Sequence, residues 1–422
     1  MQIQAWFAYP SIPTPGAVPL TLVESAASFD AVDPVDELRD LLRHHTGRKQ
    51  EARILEILRG LDTDELNDAL VQLDVAALFS TMDDHSTGPK NLTAVVKLLS
   101  NERLDELTPD SRVAIVTGMQ TGRTRTVEER GIRDVFLGTH GADLTALKNG
   151  IDGGGDHHDL QELVFSDIDD ESVKNEILAH IQREAVTNGD RKVLSDIDDT
   201  FYANWVDLRF PKKTVYPGVR QFYSELDAAR QGDRIAFVTA RPNEPSGTVK
   251  DMTIDMLRSK GAGEAVVLAG RITHFVGNDR IAEMKYKTFQ DYRALYPEYP
   301  FVFVGDSGQG DPKFGLAMLE TPNSAVQGVF IHDVVNTSAA DRQIWRERGV
   351  IFFDTYTGAA LEAFRKNLIG PEALSRIGAA TVREMRTVPY ESAAQRQARE
   401  ADLAREVMAA NAVLSAELQI RL

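Results

Sequence analysis

Residues 192–200 read Lys-Val-Leu-Ser-Asp-Ile-Asp-Asp-Thr, a short apolar run that breaks into aspartates and a threonine. A run of this length, bounded by polar residues, predicts a buried strand with an acidic end. The same grammar recurs downstream in DRIAFVTA, AVVLAG, FVFVGD and GVFIHD, with helical stretches such as GVRQFYSELDAARQ between them. That alternation predicts an α/β fold, a Rossmann-like doubly wound parallel sheet with helices on both faces. Ligands of such sheets sit beyond the carboxyl ends of the strands, so residues at the run ends are the first candidates for chemistry.

Working outward, the upstream pattern is helical. Leu38, Leu41 and Leu42, then Ile54, Leu55, Ile57 and Leu58, then Leu66, Leu70 and Leu73 recur at three or four residues, which predicts an all-helical domain over 36–187 preceding an α/β domain over 188–385. Within it, GLDTDELNDALVQLD followed by ALFSTMDDHS resembles GTHGADLTALKNGID followed by LVFSDIDDES, a possible repeat with a period of about 80 residues. The segment GIDGGGDHHD, with His157 and His158, reads as a solvated loop, since adjacent histidines on a flexible loop impose no metal geometry. Phe165–Glu171 nearly copies the acidic strand end, but its surroundings are helical and it reads as a loop and helix start. Residues 1–35, with Pro10, Pro13, Pro15, Pro19 and Pro34, form a proline-rich N-terminal arm. Residues 386–422, rich in Ala, Glu, Arg and Leu, form a C-terminal helix docked on another domain.

Composition excludes several classes. The 422 residues are 42% hydrophobic and 26% charged, enough for a real core in two to four domains. With no cysteine, disulfides, thiol nucleophiles and thiolate metal sites are excluded, and any metal needs oxygen or imidazole ligands. A net charge of −17 repels polyphosphate backbones and argues against a nucleic-acid partner. No apolar run approaches the roughly 20 residues that span a bilayer, and the N-terminus lacks the basic and apolar regions of a secretory leader. A cytoplasmic location, peripheral at membranes, is the expectation.

The acidic strand end carries the chemistry. Asp196 and Asp198 leave one strand two residues apart, and both ionise comfortably only with a hard divalent cation between them. The pair can also divide labour, Asp196 attacking phosphorus while Asp198 passes a proton to the leaving oxygen and later takes one from water. At the next run end, Thr239 in Phe-Val-Thr-Ala-Arg-Pro offers a hydroxyl and nearby amides to a phosphoryl oxygen. The run Phe-Val-Gly-Asp-Ser-Gly-Gln-Gly-Asp-Pro adds Asp306 and Asp311 where a cation needs further oxygens. Just upstream, Lys285 and Lys287 are both placed to neutralise a transferred phosphoryl group.

DxDxT, a Ser/Thr strand end, Lys and GDxxxxD in that order resemble the haloacid dehalogenase-like phosphohydrolases. Within that superfamily SDIDDT, YPGV, FVTARP, LYPEYPFVFVGDSGQGDP and VFIHDV, over about residues 190–385, are similar to the catalytic domain of actin-patch-protein-type phosphatidate phosphatases. The resemblance implies a haloacid dehalogenase-like fold with a minimal cap and a magnesium-dependent phosphomonoester hydrolase. It makes Asp196 the nucleophile of an aspartyl-phosphate intermediate, Asp198 the general acid and base, Thr239 the phosphoryl ligand, and Lys285 rather than Lys287 the residue orienting Asp196. Magnesium would be held by Asp196, the main-chain carbonyl of Asp198 and Asp306, with Asp311 in support. The implied substrate is phosphatidate or a related phospholipid.

Beyond the nucleophile, Phe201, Tyr202, Trp205 and Phe210 interleave with Arg209, Lys212 and Lys213. Either these aromatics pack over the core, or the stretch dips into a headgroup layer and grips an anionic phosphate. Thr200, Arg241, Arg209 and Lys212 are accordingly the expected substrate contacts. The short spacings after Thr200 and between Thr239 and Lys285 leave no room for a capping domain, so the site stays open to a large or interfacial substrate unless the helical half covers it. Two alternatives stand beside the lipid substrate: a phosphatase of soluble metabolites or phosphoproteins, and a membrane- or partner-binding protein whose helical half recruits an unidentified partner.

Overall fold

The computed structural model describes residues 33–422 apart from 85–86, 123, 188, 228–234, 243–246, 271–276 and 324. The proline-rich stretch of 1–32 lies outside the described residues. Ten helices come first: α1 Pro34–Leu41, α2 Arg48–Gly60, α3 Thr63–Gln72, α4 Val75–Thr81, α5 Asn91–Lys97, α6 Pro109–Gln120, α7 Thr126–Leu137, α8 Gly141–Asp152, α9 Leu160–Glu162 and α10 Glu171–Glu184. Pro34 stands in the first turn of α1, where its missing amide costs nothing.

The two similar stretches occupy like positions. Asp83 N donates to Glu51 Oε1 at 3.1 Å from the start of α2, and Asp169 N donates to Glu129 Oε1 at 2.9 Å from the start of α7. Both glutamates are buried, so each fixes the acidic turn that follows its own helical hairpin. Gly60 and Gly138 stand at the ends of α2 and α7. The near-copy of the acidic strand end is a short loop leading into a helix: Asp170 caps α10, and Asp167 takes a 2.9 Å hydrogen bond from Gln120.

The remainder alternates strand and helix: β1 Lys192–Ser195, α11 Val219–Leu226, β2 Ala236–Pro242, α12 Thr248–Ser259, β3 Val266–Gly270, α13 Asn278–Leu295, β4 Phe301–Asp306, α14 Asp311–Glu320, β5 Val326–His332, α15 Ala339–Glu347, β6 Val350–Phe353, then α16 Tyr356–Arg365, α17 Pro371–Met385 and α18 Ala393–Asn411. All strand pairs are parallel in the order β3-β2-β1-β4-β5-β6. The sheet is therefore doubly wound, with its order reversing beside β1. Strand β6 is absent from the five runs read in the sequence, because Val-Ile-Phe-Phe between two helices is too short a signal. Successive strand residues enter opposite cores. Leu194, Phe301 and Phe303 face one side, and Val193, Val302 and Val304 face the other.

The first of these cores is continuous with that of α1–α10. Two buried ion pairs cross the boundary. Lys148 Nζ lies 2.7 and 2.9 Å from the Glu298 carboxylate oxygens and 2.9 Å from Leu295 O, and Lys250 Nζ lies 2.7 Å from Asp159 Oδ2. The helices are thus fixed against α12 and the carboxyl end of α13. The solvated-loop reading of 150–159 is corrected by the same contacts: His157 Nδ1 is 2.9 Å from Asp251 Oδ2, and Arg258 donates to Gly155 O, so the loop is docked on α12. At the other end α18 buries Leu403, Val407 and Ala410, and Glu406 accepts the amides of Asp354 and Thr355 ahead of α16. Among the described residues no helix is long and apolar enough to cross a membrane.

Candidate active site

The carboxyl end of β1 delivers Asp196, and the turn beyond it is set by Asp199. Asp199 adopts φ 60°, a left-handed conformation that Asp enters at less cost than most residues. Its buried carboxylate accepts the amides of Asn204, Trp205, Val206 and Asp207 at 2.7–3.3 Å, coiling the following loop around one side chain. His332, from the end of β5, is 3.1 Å from Asp199 O and ties the turn to the sheet. From that loop Asn204 Nδ2 reaches Asp198 Oδ1 at 2.7 Å.

Three carboxylates and one ammonium converge beside this turn. Lys285, projecting from α13, is buried and donates to Asp196 Oδ1 at 2.6 Å and to Asp311 Oδ1 at 2.5 Å. Lys287 is exposed on the same helix. Asp311, the first residue of α14, turns back so that its Oδ2 accepts Asp306 N at 3.2 Å. Glycine is required at 305: a Cβ there would stand 2.5 Å from Asp311 Oδ2. Oxygen atoms of Asp196, Asp306 and Asp311 all lie within 4.8 Å of one another.

The charges do not balance. Burial, aided by repulsion from Asp311 and Asp198 and opposed by Lys285, pushes the Asp196 carboxyl up to about 7. Burial and the neighbouring Asp311 and Asp196 likewise push Asp306 well above the usual carboxylate range. Burial works against the Lys285 ammonium, but its two carboxylate partners outweigh it and hold its pKa above the ordinary lysine value. Asp196 Oδ2 and Asp306 Oδ2 are buried and accept no hydrogen bond. Two orphaned anionic oxygens beside an uncompensated negative charge fit a hard divalent cation such as magnesium, which takes carboxylate oxygens and brings its own waters.

The other expected residues are spread around this centre. Thr239 is buried within β2, three residues before the strand ends at Pro242. Thr200 is buried, with its Oγ1 lacking a hydrogen-bond partner and its carbonyl accepting Tyr356 OH at 2.8 Å. Arg241 lies in β2, and its side chain is outside the described residues. Arg209 forms a two-pronged pair with Asp207 at 2.8 and 3.0 Å, and Asp207 also takes the Tyr216 hydroxyl. This guanidinium is thus held by its own loop rather than brought to the carboxylate cluster. Lys212 is exposed. Phe201, Tyr202 and Phe210 pack inward, whereas Trp205 and Leu208 are 68% and 79% exposed.

Asn204 and the amide-gathering role of Asp199 were not legible in the sequence, because a loop side chain's partner depends on how the loop closes. Asp333 belongs with them. It accepts Ser307 Oγ at 2.9 Å, and Ser307 in turn accepts Val334 N, so the loops after β4 and β5 are locked together. The VFIHDV run was the available signal.

Residues 191–333 match the sequence model of a family described as phosphatidate phosphatase APP1, catalytic domain. The matched segment holds β1–β5 and the whole carboxylate–lysine cluster. By that match the α/β part is an enzyme domain of the phosphoric monoester hydrolase class. No curated protein and no solved structure matches the chain.

Proposed function

We propose that the chain is a magnesium-dependent phosphatidate phosphatase, built on a haloacid dehalogenase-like domain and working through an aspartyl-phosphate intermediate at Asp196. The observation that carries the reading is the state of Asp196: one oxygen is anchored by Lys285, and the other is buried and unpartnered beside Asp306 at the carboxyl end of β1. A nucleophilic carboxylate needs that arrangement, orientation at one oxygen and availability at the other.

In this reading Asp196 attacks phosphorus and the bond to the alcohol oxygen breaks as Asp198 gives that oxygen a proton. Asp198 then takes a proton from water, the water oxygen attacks phosphorus, and phosphate leaves with Asp196 restored. Thr239 holds a phosphoryl oxygen, and Lys285 orients Asp196 and screens the charge of the transferred group. Magnesium, held by Asp196, Asp306 and the carbonyl of Asp198 with Asp311 in support, would supply further neutralisation of the phosphoryl oxygens.

The family match and the loop after β1 support a lipid substrate. Trp205 and Leu208 project from a loop coiled on Asp199, with Lys212 and Lys213 exposed nearby. Apolar tips flanked by cations suit the headgroup boundary of an anionic membrane, which fits a cytoplasmic enzyme that binds membranes peripherally. The test is phosphate release from phosphatidate in mixed micelles, sugar phosphates and phosphopeptides, with magnesium and with chelator. Magnesium-dependent preference for phosphatidate is expected. Preference for a soluble monoester would overturn the lipid assignment, and full turnover by Asp196→Asn would overturn the nucleophile.

A further inference from the structure

A second group of metal-ligating side chains lies in the helical region, apart from the carboxylate cluster. His140 caps the N-terminus of α8, and His180 and Glu184 stand one turn apart on the same face of α10. One ligand atom from each lies within 4.8 Å of the others. The two imidazole rings are 5.3 Å apart, and His140 Nδ1 is 3.4 Å from Glu184 Oε1.

His180 is prepared for coordination. It is buried, and its Nε2–H donates to Thr139 O at 2.9 Å, which makes Nδ1 the nitrogen with a lone pair to offer. An outer hydrogen bond from one ring nitrogen to a carbonyl is the usual partner arrangement of a metal-bound histidine. The guanidinium of Arg183 stands 3.5 Å from Nδ1 and is exposed, so it can swing away. Glu184 is steadied by Gly141 N at 3.3 Å. His140 is the adjustable member, with 64% of its side chain exposed. Tetrahedral bonds of about 2.0–2.2 Å set ligand atoms roughly 3.4 Å apart, the separation that His140 Nδ1 and Glu184 Oε1 already hold.

We propose that His140, His180 and Glu184 bind a zinc ion with water in the fourth position, clamping the start of α8 to the end of α10. Two imidazoles and one carboxylate suit zinc rather than magnesium, which prefers oxygen ligands throughout. The location gives the clamp its purpose: α10 is the last helix before β1, the strand that ends in Asp196. A zinc ion there would stiffen the junction without taking part in phosphoryl transfer.

The full-length protein, carrying Asp306→Asn to disable the carboxylate cluster, is titrated with zinc in excess magnesium by calorimetry, and its thermal midpoint is followed in parallel. One zinc per chain and a raised midpoint are expected. His140→Ala, at an exposed position that leaves the fold intact, should weaken binding at least roughly 10- to 100-fold and abolish the thermal shift, and Glu184→Gln should weaken binding similarly. Cobalt in place of zinc should give the visible absorption of a tetrahedral ion, lost in His140→Ala. Absence of zinc binding, or binding that both variants leave unchanged, overturns the proposal.

Discussion

Asn204 donates from Nδ2 to Asp198 Oδ1 at 2.7 Å, and both side chains are buried beyond the carboxyl end of β1. The amide sits on the loop that Asp199 coils through four backbone N–H groups. In the proposed mechanism a hydrogen bond accepted at Oδ1 directs the proton of Asp198 to its other oxygen, so Asn204 would set which face of Asp198 meets the leaving group.

Asn204→Ala should therefore act selectively. Turnover of alkyl phosphates, whose leaving oxygen needs a proton, is expected to fall by roughly 10- to 100-fold, within the range assigned to general acid catalysis. Turnover of an aryl phosphate with a good leaving group is expected to change little. Steady-state kinetics on the two substrate types decide it, and an equal loss on both would reduce Asn204 to a structural role.

Removing one carboxylate from the cluster should stabilise the metal-free protein. The raised Asp306 pKa means that its ionisation costs folding energy, so stability attributable to this group is lost as pH rises above the unfolded carboxyl value. In chelator, Asp306→Asn should melt higher than the parent, by about 1 °C per kcal/mol gained for a unit of this size, with a larger difference at pH 8 than at pH 5. The same variant should lose magnesium-dependent phosphate release. A lower melting temperature in chelator would contradict the repulsion inferred here.

His332 gives the fold an acid limit. Burial, with Arg209 nearby, depresses its pKa from 6.5 to about 4, and its ring lies among Tyr216, Phe353 and Tyr356. The unfolded chain binds a proton near 6.5 that the folded chain refuses until about 4, so stability falls as pH drops through that window. The loss is roughly 3 kcal/mol at its limit. Urea midpoints measured between pH 7 and 4 should show the decline, and His332→Gln should flatten it.

Trp205 and Leu208 offer a test that separates membrane contact from catalysis. On entering a headgroup layer each would bury an apolar side chain worth roughly 1.5–3 kcal/mol. The double alanine variant should sediment with anionic vesicles at least roughly tenfold less while keeping its rate on a soluble phosphomonoester. Unchanged sedimentation would remove the loop from the membrane surface.

The shared core predicts how the molecule unfolds. Glu298→Gln strands the buried Lys148 ammonium and is expected to cost about 3–5 kcal/mol. Because α1–α10 and one sheet face share a core, far-ultraviolet dichroism and tryptophan fluorescence should report one transition that moves as a unit. Two separate transitions would show independent halves.

Most of the candidate site was readable along the chain because it depends on local grammar. A parallel strand ends close to where its apolar run ends, so Asp196 and Asp306 declared themselves as strand-end residues without any knowledge of their neighbours, whereas β2 runs on past Thr239 to Pro242. The choice between Lys285 and Lys287 was of another kind: two positions on one helix point in different directions, and only the packing of α13 shows which faces the sheet. Arg209 and Trp205 illustrate the same limit. Their composition suggested a phosphate grip or a core, and loop closure sent the arginine to Asp207 and the tryptophan to solvent.

The amino-acid order by itself determined the alternation of strand and helix, the acidic strand ends and the helical character of the first half, since each follows from periodicity and local preference. Only the tertiary structure decided that the helices share a core with the sheet, that Asp199 gathers a loop, and that Asp196, Lys285, Asp306 and Asp311 meet. Contacts between residues far apart in the chain depend on how the layers close, and that closure is fixed by the packing of the whole molecule rather than by any one segment.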